Sequence, residues 1–169
     1  KLKKKVQSIL AAEARVSHRL GLTPNMISAI GIALAFFSSI AYAEWHTNKI
    51  YLLLATILLL LSGFCDALDG VVARLYQETT AFGGFLDSML DRYADALVLA
   101  GIILGGFSDV FWGFLALIGS LLVSYSRARA EAAGIKMESV GIAERAERII
   151  ILAAASFLSL LWQDALRWS

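Results

Sequence analysis

Proline occurs once in this chain, at Pro24, and cysteine once, at Cys65. With a single proline, no helix after position 24 is interrupted by a missing backbone donor. With a single thiol, no internal disulfide can form, and packing is the simplest role for Cys65. The two histidines, His18 and His46, have no metal-ligand spacing around them and read as interface residues. Charge of one sign is not in excess either: 15 Lys and Arg against 14 Asp and Glu leave a net charge of +1. Bulk charge therefore points to no partner, and a nucleic-acid partner is not expected. No cleavable signal peptide is visible, because the basic N-terminus is followed by an apolar run only after residue 24.

Apolar sequence is what the chain has in abundance. Hydrophobic residues make up 59% of its 169 positions, and several runs reach bilayer-crossing length. The implied fold class is all-α: one polytopic transmembrane helix bundle. Residues 1–22 are basic and roughly amphipathic, with Val6, Ile9, Leu10, Ala14 and Val16 on a shared face. They suit a helix lying in the membrane interface; a solvated leader explains the pattern as well. Thr23 is an N-cap signal with Pro24 at the first helical position. Five spans follow, at about 25–43, 50–76, 81–105, 110–133 and 142–162. The bundle occupies residues 23–169. The sequence begins at Lys1 rather than methionine, so a fragment is expected.

The basic residues are unevenly distributed. Six of the 15 precede Asn25, Arg74 and Arg92 flank the second loop, and Arg127, Arg129, Lys136, Arg145 and Arg148 surround the fourth. Only Lys49 and Arg167 fall on the other side. The positive-inside rule then puts the N-terminus and the even-numbered loops in the cytoplasm. Trp45, Trp112, Trp162 and Trp168 fall near the outer span ends, as an aromatic belt would.

On that cytoplasmic boundary lie Asp66, Asp69, Asp87 and Asp91. Spacings of three and four put each pair on one helix face, and two antiparallel helices bring the faces together. Four uncompensated carboxylates would repel one another. Hard divalent cations resolve this, with two Mg²⁺ ions bridged by shared aspartates as the natural occupancy and Mn²⁺ as an alternative. Gly70, Ala73, Gly83 and Gly84 are small, which allows close approach of a helix or a ligand. Arg74 can reach a phosphate, so metals and arginine together suggest a phosphate-ester substrate.

The residues Asp66, Asp69, Gly70, Ala73, Arg74, Gly83, Asp87 and Asp91 spell D-x2-D-G-x2-A-R-x8-G-x3-D-x3-D without a gap. This resembles the signature of the CDP-alcohol phosphotransferase family, and Thr23-Pro24-Asn25 is similar to the start of that family's first membrane helix. The resemblance implies transfer of a phosphatidyl-type group from a CDP-linked lipid to an alcohol, with release of CMP. It implies metal binding by Asp66, Asp69, Asp87 and Asp91, with Asp91 also the general base. It implies that Thr23, Asn25, Asp66, Asp69, Gly70, Ala73, Arg74 and Gly83 surround the CDP group. Homodimers and six membrane helices are also implied; five are visible here, so truncation at the C-terminus is expected.

Residues 124–131, SYSRARAE, and 141–150, GIAERAERII, look like segments of phosphatidylinositol-phosphate and archaetidylinositol-phosphate synthases. That resemblance implies CDP-diacylglycerol or CDP-archaeol as donor and inositol 1-phosphate as acceptor. Arginine forks suit a phosphate dianion, and Arg127, Arg145 and Arg148 are the candidate acceptor ligands. Arg129 is free to pair with an acid instead. Ordinary positive-inside anchoring accounts for the same arginines. Glycerol 3-phosphate is the alternative acceptor. From other classes, a cation transporter would also need intramembrane carboxylates, and a dead scaffold would not need Asp91. The expected location is the cell membrane, multi-pass, with the active site facing the cytoplasm. Asp95 extends the 87, 91 spacing by four residues and reads as structural.

Overall fold

The computed structural model describes residues 2–135 and 145–166, with side chains described for 10–135 and 145–160. Lys136, Glu144, Arg167 and Trp168, and the side chain of Trp162, lie outside the described residues. The described residues form six helices: α1 (Leu2–Arg19), α2 (Pro24–Ala43), α3 (Ile50–Leu75), α4 (Ala81–Leu104), α5 (Val110–Ala132) and α6 (Arg145–Leu166). Among the described residues there is no strand. The all-helical expectation holds, and the boundaries fall within a few residues of those expected.

Local chemistry explains the helix starts. Thr23 caps α2 by accepting from the Met26 amide, with Pro24 in the first turn. Thr80 caps α4 by accepting from the Gly83 amide at 2.9 Å, and Asp109 caps α5 by accepting from the Phe111 amide at 2.9 Å. Each such cap is worth about 1 kcal/mol. Helix α3 runs through Gly70 without a break, since one glycine costs only about 1 kcal/mol in a helix interior. It ends where Gln77 takes a φ of 58°, a left-handed position unusual for a residue with a Cβ. That turn sends the chain directly into α4, so the two aspartate-bearing helices are joined by a short connection.

Three helices, α2, α3 and α5, are long and apolar enough to cross a membrane. Helix α4 has the length, but Asp87, Asp91, Arg92 and Asp95 lower its hydropathy. Large apolar side chains face outward along the spans, Phe37, Phe111 and Leu122 among them. In lipid such residues are solvated by hydrocarbon, so burial cannot drive packing and close helix contact must.

That contact centres on α2, which packs along both α3 and α4, while α3 and α4 scarcely touch directly. Small residues bring the backbones together. A Cβ on Gly101 of α4 would strike the backbone of Ser39, and one on Gly31 would meet Cys65 Cβ at 3.3 Å. Serines stitch the seams. Ser38 donates to Ala55 O at 2.8 Å, Ser39 to Leu97 O at 2.6 Å and Ser62 to Gly31 O at 2.8 Å. Bonds of this kind contribute roughly 0.6 kcal/mol each in a membrane protein. Cys65 is a free thiol packed in this seam. Around Tyr42, Leu52, Ala55 and Leu59, one core cluster joins α2, α3, α4 and α6.

Helix α1 packs against the C-terminal end of α3, where Ala14 joins Leu68 and Val72 of α3 and Ile27 of α2 in one cluster. Val16 is 51% exposed and does not share that buried face, whose second member is Ser17. The expected apolar face therefore does not include Val16, since the part of α1 whose side chains are described meets protein through the small residues Ala14 and Ser17. His18 is likewise no bare interface residue: it stacks on Tyr76 at 3.5 Å and its Nε2 pairs with Glu78 at 3.4 Å. Trp45 is anchored by its indole N–H to Gly105 O and packs on Phe107.

Candidate active site

Helices α3 and α4 run antiparallel on either side of α2. Their neighbouring ends carry all four signature aspartates. Asp66, Asp69 and Asp87 each offer a carboxylate oxygen, and these oxygens lie within 4.8 Å of one another. This is three hard oxygen donors converging on one point, the donor set that a magnesium- or manganese-class ion takes. Asp69 is buried, and its Oδ2 accepts from the Ser28 hydroxyl of α2. Ser28 thus fixes which oxygen of Asp69 faces the other carboxylates. Nothing in the sequence marked Ser28; only the packing of α2 between α3 and α4 brings it here.

Asp91 stands one turn along α4 from Asp87 and faces α6. Arg145 Nη1 pairs with both Asp91 and Asp66, which places a guanidinium beside the carboxylate cluster. Arg92 lies 3.7 Å from the outer oxygen of Asp91. Arginine compensation of the acids was not expected from the sequence, which assigned Arg145 to the acceptor alone.

The carboxylates form a wall between two cavities. On one side a space of about 190 Å³ is lined by Asn25, Gly70, Ala73, Arg74, Gly83 and Gly84, together with Asp69 and Asp87. Arg74 folds back over Gly70, where a Cβ would lie 3.2 Å from its Nη1, and a Cβ on Gly83 would lie 3.6 Å from Asn25 Oδ1. The small residues of the signature therefore keep this space open. Thr23 does not line it; its hydroxyl is engaged in capping α2. Asp66 faces the narrow cleft that also touches Asp91 and Arg145 rather than this cavity. Glu78, Thr79 and Thr80 of the α3–α4 turn complete the rim.

On the other side a cavity of about 300 Å³ lies between α4, α5 and α6. Arg127, Arg145 and Arg148 all line it, with Asp91 at its edge. The three arginines named from the sequence are thus brought together, while Arg129 is exposed and stands outside. Asp95 lies in the same wall: its Oδ2 accepts from Arg148 Nη2 at 2.9 Å, and its Oδ1 lies 3.4 Å from Arg145 Nε. Ser120 of α5 accepts from Arg148 Nη1. The arrangement presents an acidic metal-type centre flanked by one small-residue cavity with an arginine and one arginine-rich cavity, a geometry for two phosphate-bearing ligands meeting at carboxylates.

The profile of the CDP-alcohol phosphatidyltransferase family matches residues 21–169. The archaetidylinositol phosphate synthase of Pyrococcus horikoshii is 46% identical over 94% of this chain and 82% of its own length. Its namesake from Methanothermobacter thermautotrophicus is 47% identical over 86% of this chain and 72% of its own length. Among solved structures, Mycobacterium tuberculosis phosphatidylinositol phosphate synthase with CDP-DAG bound superimposes with a TM-score of 0.72 at 25% identity, covering 96% of this chain and 94% of that one. Sequence signature, helix arrangement and site geometry converge, and the chain belongs to the CDP-alcohol phosphatidyltransferase family of metal-dependent membrane enzymes.

Proposed function

We propose that this enzyme transfers the lipid-linked phosphate of a CDP-activated lipid, CDP-archaeol or CDP-diacylglycerol, to inositol 1-phosphate, releasing CMP. The observation that carries the reading is the pair of cavities meeting at one wall of aspartates, the smaller holding Arg74 and the larger holding Arg127, Arg145 and Arg148. The relatives named for inositol phosphate products support this acceptor over glycerol 3-phosphate.

In this reading the CDP group lies over Gly70, Ala73 and Gly83, where a larger side chain would fill the space it needs. Asn25 and Arg74 contact it, with Asp66 and Asp69 beneath. Thr23 contributes by setting the first turn of α2, so that Asn25 and Ser28 point into the site. Asp66, Asp69, Asp87 and Asp91 would hold two Mg²⁺ ions. Bound there, such ions neutralise pyrophosphate charge and stabilise the leaving phosphate. The arginine cavity orients the acceptor by its phosphate. Asp91, at the junction, takes the proton of the attacking hydroxyl. The hydroxyl oxygen forms a bond to the lipid-linked phosphorus, the bond from that phosphorus to the bridging oxygen breaks, and CMP leaves with the electron pair. For Asp91 to act, Arg145 must loosen its hold on that carboxylate, and the acceptor phosphate offers it the alternative partner.

The same reading puts residues 1–22 at the membrane interface as a unit distinct from the catalytic bundle of 23–169. It puts the site on the cytoplasmic face of the cell membrane and pairs the chain as a homodimer. The test is CMP release by purified protein with Mg²⁺ and a CDP-lipid, comparing inositol 1-phosphate with glycerol 3-phosphate, free inositol and serine. Release is expected with inositol 1-phosphate and to fall by about 10²–10⁴-fold in Asp91→Asn. Release with glycerol 3-phosphate alone would refute the acceptor.

A further inference from the structure

Asp95 lies outside the signature, one turn beyond Asp91 on α4. Its side chain is 17% exposed, and both of its oxygens face arginines of the first turn of α6. Oδ2 takes Arg148 Nη2 at 2.9 Å, and Oδ1 faces Arg145 Nε at 3.4 Å. A half-buried carboxylate is stable only when compensated, and here one carboxylate is shared by two guanidinium groups three residues apart. The second anchor of Arg148 is Ser120 on α5. Asp95 therefore ties α4 to α6 directly and to α5 through Arg148, at the wall of the larger cavity.

The consequences differ for the two arginines. Arg145 has three carboxylate partners: Asp66 and Asp91 at Nη1 and Asp95 at Nε. Without Asp95, the remaining acid partners of Arg145 are Asp66 and Asp91, both at Nη1, and nothing holds its Nε edge beside Arg148. Arg148 has Asp95 as its acid among the described residues, and its Nε is buried with no hydrogen-bond partner. Without Asp95, the head group has no charge to fix its plane. The cavity as a whole is lined by four arginines, Arg92 included, and two aspartates, Asp91 and Asp95. That leaves a surplus of two positive charges, suited to a phosphate dianion, with enough acid to keep like-charged guanidinium groups together.

We propose that Asp95 is a positioning residue for the acceptor phosphate. It holds Arg145 and Arg148 as a pair in the cavity wall. This rests on the reading that the arginine cavity takes the acceptor. It makes Asp95 part of acceptor recognition, although it touches no substrate itself.

The experiment measures KM for inositol 1-phosphate and for the CDP-lipid, kcat, and thermal unfolding, using the full chain in detergent with Mg²⁺. The variants are Asp95→Asn, Asp95→Glu and Arg148→Gln. Asp95→Asn is expected to raise the acceptor KM by about tenfold or more and leave the donor KM within about twofold, in protein that stays folded at the assay temperature although its melting temperature falls. Asp95→Glu, which keeps the charge, is expected to recover most of that rise. If Asp95→Asn does not survive purification, Asp95→Ser and Asp95→Gln replace it, with the same split between the two KM values expected. An unchanged acceptor KM in the Asp95 variants, with a raised one in Arg148→Gln, overturns the proposal and leaves the acceptor reading standing. An equal rise in both KM values, or a loss that follows the melting temperature, also overturns it, as a structural role would produce that. An unchanged acceptor KM in Arg148→Gln as well removes the acceptor reading and the proposal together.

Discussion

Ser28 offers the sharpest test of how the metal-type centre is built. Its hydroxyl reaches Asp69 Oδ2 from the neighbouring helix and also lies 3.1 Å from Pro24 O on its own helix. Ser28 is 9% exposed and Asp69 4% exposed, so the bond is largely shielded from bulk solvent. A hydrogen bond to a charged group is worth about 1.5–3 kcal/mol, and each 1.4 kcal/mol is about a factor of ten in affinity. The bond fixes which oxygen of Asp69 faces Asp66 and Asp87, so its loss frees the carboxylate to rotate out of the cluster. Ser28→Ala is therefore expected to weaken divalent-ion binding by about 10–100-fold, the range typical for losing a group that orients a metal ligand. The assay is titration of the purified protein with Mn²⁺, following free ion by electron paramagnetic resonance, with thermal unfolding in EDTA alongside. If stability in EDTA falls while the Mn²⁺ affinity stays at wild type, the hydroxyl serves Pro24 O within α2 and the reasoning about Asp69 is refuted.

Three further outcomes follow from the same geometry. A Cβ at Gly84 or at Gly119 would meet nothing within 4 Å, and each residue lines one cavity. Gly84→Leu should raise the CDP-lipid KM by at least about tenfold with little change for inositol 1-phosphate, and Gly119→Leu should do the reverse; steady-state kinetics with each substrate varied checks both. Gly101→Leu should destabilise the α2–α4 seam by about 1–3 kcal/mol or more, because its Cβ alone meets the backbone of Ser39. A lower melting temperature in detergent, with wild-type Mn²⁺ affinity in the surviving folded fraction, is the expected result. After Cys65→Ser, cysteines placed at Gln77 and at Asn48 should react with a membrane-impermeant maleimide from opposite sides of sealed vesicles. Labelling of both from one side would refute α3 as a membrane span.

The fold was legible because it is written in long apolar runs and their interruptions. Thr23, Thr80 and Asp109 cap helices from the loop residues that punctuate those runs. The aspartate signature was legible because three- and four-residue spacings on two consecutive helices oblige the side chains to meet. What the sequence hid depends on contact between distant helices. Ser28 meets Asp69 across 41 residues, and Asp95 meets Arg145 across 50. No local period records such a pairing. Val16 was placed on one apolar face with Ala14 because apolar character, taken alone, cannot distinguish a residue facing lipid or solvent from one facing protein. Among the described side chains of α1 the protein-facing positions belong to small residues, Ala14 and Ser17.

The charges at the site follow one rule. Among the acids of α3 and α4, Asp66, Asp69, Asp91 and Asp95 each have a partner suited to their depth and role. Asp69, the most enclosed, has a neutral hydroxyl. Asp66 and Asp91 share Arg145, and Asp95 shares Arg145 and Arg148. A hydroxyl keeps the net negative charge in place for a cation, whereas a guanidinium cancels it. Arg145 spans both sets, since it touches two signature aspartates and also lines the arginine cavity. Any anion entering that cavity competes with Asp66 and Asp91 for the same guanidinium. Anion binding in that cavity and the charge available at the metal-type centre are therefore coupled through one side chain, and the coupling must be reciprocal. Divalent ions should strengthen the binding of inorganic phosphate in the arginine cavity, and phosphate should strengthen the binding of Mn²⁺ by the same factor. In Arg145→Gln that mutual effect should disappear even where each ligand still binds alone.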